Sequence, residues 1–318
     1  MTGIPVTESS AGHDLERRLH LAIEEVNRIL LGKESQVQLA FTCLLAGGHL
    51  LIEDLPGVGK TTLAHALARA IGAKYQRIQF TSDLLPADIL GVSIYRRDQE
   101  RFEFHPGPIF ADLILADEVN RATPKTQSAL LEAMAEGQVT TEGETHELPR
   151  PFFVIATQNP LDLVGTFPLP DSQLDRFLLS ITLGFPDPAV ERVLLTAEDR
   201  MELLQASRPV LKPADVSALQ AESRTVHASE ALLDYVQALL AETRSERWFA
   251  TGLSPRAGIA LLRCGRAHAF IEGRDFVTPD DIKAIFPALA RHRLTLAAGT
   301  EISVDEQITG LLRQVAIP

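Results

Sequence analysis

His49-Leu50-Leu51-Ile52-Glu53-Asp54-Leu55-Pro56-Gly57-Val58-Gly59-Lys60-Thr61-Thr62 decides how the rest of this 318-residue chain is read. His49 to Glu53 is a short apolar run of the kind a buried parallel strand carries. Pro56 to Lys60 is a glycine-rich turn, and Thr61 to Ile71 has helical spacing. A glycine turn at a helix N-terminus offers converging backbone N–H groups and the positive end of the helix dipole, which together suit phosphate oxygens. Pro56, Gly57, Val58, Gly59, Lys60, Thr61 and Thr62 are therefore the expected phosphate-binding residues. Lys60 would reach the β- and γ-phosphates of a nucleotide, and the Thr61 hydroxyl would ligate Mg²⁺. One residue departs from the full pattern. Asp54 stands where a glycine is usual, so its carboxylate must point away from any phosphate.

Outward from this stretch, strands are expected at Tyr75 to Phe80, Asp112 to Ala116, Phe152 to Thr157 and Phe177 to Leu183. Helices are expected at Leu15 to Leu31, Ser35 to Ala46 and Pro124 to Ala135, with hairpins near Val92 to Phe104 and at Gln138 to Leu148, the latter turning at Glu142-Gly143. Strands alternating with helices predict an α/β fold with a parallel sheet flanked by helices. After Gly184-Phe185-Pro186-Asp187-Pro188 the pattern becomes helical. Asp187-Pro188, Ser254-Pro255 and Thr278-Pro279 each place a capping residue before a proline at the first helical position. The expected organisation is a flexible start over 1–14, an α/β domain over 15–184 and an all-α domain over 185–318.

Leu113-Ile114-Leu115-Ala116-Asp117-Glu118 is a second chemical signal: an apolar strand ending in two acids at the sheet edge where ligands bind. Asp117 would hold Mg²⁺ through its water shell, and Glu118 would orient and deprotonate an attacking water. Phe152 to Pro160 carries another apolar strand, ending in Asn159, an amide able to help place that water or simply to form the turn before Pro160. Arg176 precedes the last expected strand, and Arg256 lies one turn into the helix capped by Ser254. By themselves both arginines read first as surface charges.

Composition narrows the function classes. Thirty Lys and Arg against 42 Asp and Glu leave a net charge of −12, a poor match to a general nucleic-acid binder. Cys43 and Cys264 are far apart in apolar helical contexts and read as buried free thiols. His105, His146 and His292 have no paired ligand at helical spacing, so no metal site is expected from them. Trp248 and Phe249 read as core of the helical domain. Met1 to Ala11 has no apolar signal segment, and no run of about 18 apolar residues occurs, so a cytoplasmic protein without membrane insertion is expected.

These motifs together resemble an AAA+ ATPase and, more narrowly, the MoxR family. The resemblance runs through Gly48 to Gly57, including Glu53-Asp54 before the loop, then Gly107-Pro108-Ile109-Phe110 and Ala116-Asp117-Glu118-Val119-Asn120-Arg121-Ala122. It continues through Lys125 to Met134, Ala156 to Pro160, Gly165 to Phe177 and Ser254-Pro255-Arg256-Ala257. The resemblance implies an AAA+ core with a C-terminal lid, assembled as a homo-oligomeric, hexameric ring with ATP at each subunit interface. By that analogy Lys60 and Thr61 belong to the Walker A motif, Asp117 and Glu118 to Walker B, Asn159 is sensor 1, Arg256 sensor 2, and Arg176 the arginine finger acting on the neighbouring subunit. The two hairpins match the helix-2 insert and the pre-sensor-1 hairpin. The implied work is remodelling or maturation of a protein client, including partners with von Willebrand factor A domains. The alternative is an AAA+ motor or loader acting on nucleic acid. A GTPase is disfavoured, because Asn159-Pro160-Leu161-Asp162 has proline where the guanine-reading motif needs lysine.

Overall fold

A computed structural model describes residues 7–161, 165–196, 200–245, 247–297 and 302–317. In chain order the first half contains α1 (Thr7–Ile29), α2 (Glu34–Leu45), β1 (Leu50–Glu53), α3 (Lys60–Ala70), β2 (Tyr75–Gln79), α4 (Pro86–Leu90), β3 (Gly91–Arg96), β4 (Arg101–Pro106), β5 (Leu113–Asp117) and α5 (Pro124–Glu136). It continues with β6 (Gln138–Thr141), β7 (Glu144–Glu147), β8 (Phe153–Gln158), α6 (Asp171–Leu174) and β9 (Leu179–Ile181). Five of these strands form one sheet in the order β2-β5-β8-β1-β9, every pairing parallel.

The two-residue period of the strands sends alternate side chains to opposite faces. Leu50, Ile52, Leu113, Leu115 and Ile155 join α1, α2 and α3 in one apolar cluster. Leu51, Ile114, Ala116, Val154 and Ala156 join Leu130, Leu131 and Met134 of α5 in another. Because both faces are covered, β5 is buried along its whole length. That is why its sequence reads as an unbroken apolar run.

The second half contains α7 (Pro188–Thr196), α8 (Arg200–Ala206), α9 (Pro213–Ser223), α10 (Glu230–Thr243), β10 (Phe249–Thr251), α11 (Pro255–Ile271), α12 (Pro279–Ala290), β11 (Thr295–Leu296) and α13 (Val304–Gln314). The expected caps form: the hydroxyl of Ser254 accepts from the Ala257 amide at 3.2 Å, and Thr278 and Asp281 cap α12 reciprocally. Phe249 is fully buried and Trp248 packs beside it. The region is helical apart from β10 and β11, which pair antiparallel. Its core is continuous with the first half, since Leu261, Ile282 and Phe286 share a cluster with Leu44 and Leu50. Lid and sheet are thus packed through one apolar interior, although the chain crosses only once, near Gly184.

Two details differ from the sequence expectation. The first helix begins at Thr7 rather than Leu15, so Thr7 to Asp14, expected as part of a flexible start, is helical. Its early turns carry no apolar stripe, so periodicity gave no sign of them. The short α4 and α6 also carry too few residues for a periodic signal. The hairpins form as expected. Glu142 (φ 51°) and Gly143 (φ 86°) both occupy the left-handed region that a two-residue turn needs. The hairpins also meet: the rings of Phe104 and His146 stack at 3.9 Å.

Cys43 and Cys264 are free and buried, and burial pushes the Cys264 thiol up to about 12. Among the described residues no three His, Cys, Asp or Glu cluster as a metal site, and no helix is long and apolar enough to cross a membrane.

Candidate nucleotide site

The phosphate loop leaves the end of β1 and turns directly into α3. Gly57 (φ 83°) and Gly59 (φ 103°) hold conformations that side chains rarely adopt, and Gly59 is the N-cap of α3. A Cβ built on Gly57 would meet nothing within 4 Å, so this backbone faces open space. The loop borders a cavity of about 360 Å³ whose far wall is Arg77, Gln79, Asp117 and Glu118. Pro56, Lys60, Thr61 and Thr62 line the near wall with the two glycines, whereas Val58 is buried among apolar residues.

Asp54 occupies the position normally held by glycine without opposing an anion. One carboxylate oxygen accepts from the Leu183 and Gly184 amides at 2.6 and 2.7 Å, and the other accepts from its neighbour Leu55 at 2.8 Å. The carboxylate is consumed in tying the loop to the end of β9. The Asp54 carbonyl accepts from Lys60 Nζ at 2.6 Å. Partial burial lowers the Lys60 ammonium from its usual value, while the carboxylates of Asp117, Asp54 and Glu118 oppose that shift.

Asp117 ends β5 and is 8% exposed. The Thr157 hydroxyl donates to one of its oxygens at 2.6 Å, and Arg77 pairs with the other at 2.6 Å. Glu118 follows in a left-handed conformation (φ 57°, ψ 51°), which costs a non-glycine residue about 1–3 kcal/mol. Its amide donates to Thr157 Oγ1 at 2.9 Å. Its carboxylate accepts from Gln79 Nε2 at 2.9 Å and lies 3.1 Å from the Arg121 guanidinium. Thr61 and Asp117 present oxygen donors to the same cavity, the ligand type that Mg²⁺ takes.

Arg77, Gln79 and Thr157 were not among the residues singled out from sequence. Gln79 sits opposite Asp117 in the β2–β5 register, with Arg77 two residues back on the same face. In the sequence they look like the wet side of an edge strand. Only the strand order makes them neighbours of the acid pair.

Asn159 follows β8, which lies between β1 and β5, and the preceding Gln158 carbonyl accepts from the Asp54 amide at 3.1 Å. Asn159 is therefore at the same sheet edge as the loop and the acids. It is 7% exposed, and its amide oxygen accepts from the Leu161 backbone at 3.2 Å, the turn-forming contact. It does not line the cavity.

Arg176 and Arg256 are elsewhere. Both border a cleft of about 220 Å³ with Gly48, His49, Arg263 and Arg293. Gly48 and His49 precede β1, and Arg176 precedes β9, so this cleft is at the opposite, N-terminal edge of the parallel sheet. Strands of this length, at about 3.3 Å per residue, separate the two edges by roughly 15 Å. Arg256 is thus brought to Arg176 and not to the phosphate loop of its own chain. The Arg176 guanidinium donates to the Leu131 carbonyl at 2.6 Å. Four arginines border the cleft beside one carboxylate, Asp175, which Arg293 already pairs.

Two buried imidazoles brace this edge. His49 accepts from the Val154 amide at 3.1 Å and donates to the Met134 carbonyl at 3.2 Å, and burial lowers its pKa to about 4. His292 donates to the Phe177 carbonyl at 3.0 Å, with its pKa lowered to about 3, first by burial and then by Arg293. Unfolded, both take protons below about pH 6.5; folded, they do not until pH falls to about 4 and 3. Stability present above pH 6.5 is therefore lost on acidification, by up to roughly 2.7 kcal/mol per pH unit with both contributing. Denaturant titrations at pH 7 and 5 should show the drop. Equal stability at the two would mean that these rings are charged in the fold.

A glycine-lysine phosphate loop on β1, an acid pair on β5, a strand between them and a helical lid behind define an AAA+ ATPase. Known proteins agree. A profile of the ATPase family associated with various cellular activities (AAA) matches residues 49–179, and an AAA lid profile matches residues 241–310. The chain is 46% identical over 308 residues to Uncharacterized protein YeaC of Bacillus subtilis, covering 96% of each. It is 41% identical over 319 residues to Chaperone MoxR1 of Mycobacterium tuberculosis, covering 96% of this chain and 83% of that one. A crystal structure from Cytophaga hutchinsonii, provisionally described as an ATPase, superposes with a TM-score of 0.88 at 36% identity, covering 98% of each chain. The chain belongs to the MoxR family of AAA+ ATPases.

Proposed function

We propose that this protein hydrolyses ATP to ADP and phosphate in a homo-oligomeric, hexameric ring and uses the cycle to remodel or mature a protein client in the cytoplasm. The observation that carries the reading is the placement of the phosphate loop and the arginine cleft at opposite edges of one sheet. A subunit with its anion-binding loop at one end and, among the described residues, four guanidiniums against one carboxylate at the other would complete its site against another copy.

In this reading the Pro56–Thr62 loop wraps the triphosphate, and the Lys60 ammonium exchanges the Asp54 carbonyl for the β- and γ-phosphate oxygens. Thr61 and Asp117 would hold Mg²⁺, which would supply charge neutralisation for the triphosphate. Glu118 orients and deprotonates water once it is released from Gln79 and Arg121. Asn159 reports the γ-phosphate from the loop that follows β8. Arg176, from the adjoining subunit, neutralises transition-state charge as the finger, and Arg256 senses the same nucleotide from that subunit's lid. Rearrangement at this edge would shift the two hairpins, which Phe104 and His146 join. A von Willebrand factor A domain partner is the client class that fits the family.

Calorimetric titration with Mg²⁺ and ATP tests the first step. The native protein should bind, and Lys60→Ala should lose productive binding. No heat of association with the native protein at millimolar nucleotide would end this reading.

A further inference from the structure

We infer that Arg293 is a positioning residue for the arginine finger, through which the lid sets where Arg176 points. The inference rests on the reading of Arg176 as a finger acting on a neighbouring subunit. Arg293 lies just past the end of α12, in the lid, and its side chain is only 7% exposed. A guanidinium has five N–H donors in a fixed fork, and here all five are assigned. Nε donates to Asp175 Oδ1 at 2.7 Å, and one terminal nitrogen donates to the Leu178 carbonyl at 3.1 Å and the Leu289 carbonyl at 2.5 Å. The other terminal nitrogen donates to the Asp175 carbonyl at 3.3 Å and the Phe177 carbonyl at 2.6 Å.

Three of the five bonds thus go to Asp175 and Phe177, which flank Arg176, and a fourth goes to Leu178, two residues on. The Phe177 carbonyl also accepts from His292, the residue before Arg293. Among the described residues the Arg176 side chain has a single anchor across the cleft, the Leu131 carbonyl on α5. The lid thus holds the carbonyls on both sides of the finger, while the amides of Asp175 to Phe177 bond back into the α6 turn and the Leu178 amide donates to the His49 carbonyl at 2.8 Å. The Arg176 side chain touches the helix leading into the second hairpin.

A lid that moves pulls on the Asp175 and Phe177 carbonyls, because buried donors and acceptors that part are left without partners. Leu178 stays tied to the sheet through the His49 carbonyl, so the displacement falls on the backbone around Arg176. Lysine can substitute only in part, since one ammonium offers three donors at a point and cannot span acceptors on both sides of Arg176. The cleft arginines also differ in duty. Arg263 donates to the Ala46 and Gly47 carbonyls that end α2, and so anchors the segment before β1 rather than the finger.

The test compares assembled rings of Arg293→Met, Arg293→Lys and Arg176→Ala, alone and mixed with Glu118→Gln subunits, reading ATP turnover and ATP affinity. Misplacing a catalytic group by about an ångström can cost 10²-fold. Arg293→Met rings should therefore lose turnover on the order of 10²-fold, with ATP affinity unchanged. Arg293→Lys should fall between native and Arg293→Met. Mixing Arg293→Met with Glu118→Gln should restore turnover, because the intact finger of the Glu118→Gln subunit then serves the intact acids of its neighbour. The double variant Arg176→Ala/Arg293→Met should be no slower than Arg176→Ala alone, as two changes acting through one group are not additive.

Native-like turnover in Arg293→Met, additive loss in the double variant, weakened ATP binding, or failure of both Arg293 variants to assemble would each overturn the inference. So would absence of recovery in mixtures where Arg176→Ala does recover. If Arg176→Ala itself shows no recovery with Glu118→Gln, the finger reading beneath it falls, which is a separate and recognisable result.

Discussion

Arg176→Ala rings are expected to hydrolyse ATP ~10³–10⁵-fold more slowly than native rings while still binding it, the range a finger supplied in trans is worth. The expectation follows from position. Arg176 and the phosphate loop belong to opposite edges of one parallel sheet, so the variant leaves its own loop, Lys60 and acid pair untouched. Under the proposed ring reading, what it removes is charge from the neighbour's site. Mixing separates this from a folding defect. Arg176→Ala subunits added to Glu118→Gln subunits should recover some turnover, since one of the pairings joins an intact finger to intact acids. Verified mixed rings that stay inactive would show that Arg176 serves its own chain or no site at all.

Glu118→Gln should keep ATP bound and leave it uncleaved, with turnover reduced ~10²–10⁴-fold for loss of a general base. The substitution preserves size, and an amide can still accept from Gln79 and from Arg121, so the network around Asp117 should persist. Two consequences are measurable. Nucleotide extracted from the purified variant after incubation should be ATP rather than ADP. A pull-down with this variant in ATP should also retain the client, because the cycle halts before release. Native turnover in Glu118→Gln would remove it from the base role and leave the acid pair without a catalyst.

The candidate phosphate site was readable from the chain because its parts are contiguous. A strand, a turn and a helix within Leu50 to Ala70 are enough to aim backbone amides at an anion, and the positive φ of Gly57 and Gly59 is what that turn requires. Asp117 and Glu118 were readable for the same reason, as the end of an unbroken apolar run. The partners of those acids were not. Arg77, Gln79 and Thr157 reach Asp117 and Glu118 only through strand pairing, which no local pattern records. Asp54 is intermediate. That its carboxylate must turn away follows from charge alone, but that it is pinned by Leu183 and Gly184 depends on β9 lying beside β1.

Periodicity and turn chemistry are properties of neighbours in sequence, and they determined that this chain makes a covered parallel sheet, a phosphate loop and a capped helical lid. Edges and neighbours are properties of space. The docking of the lid on α2 and β9, through Arg263 and Arg293, places Arg256 beside Arg176 and both away from their own chain's loop. That arrangement is decided by which apolar faces pack together over separations of more than a hundred residues. The short-range preferences of the backbone carry no information about it.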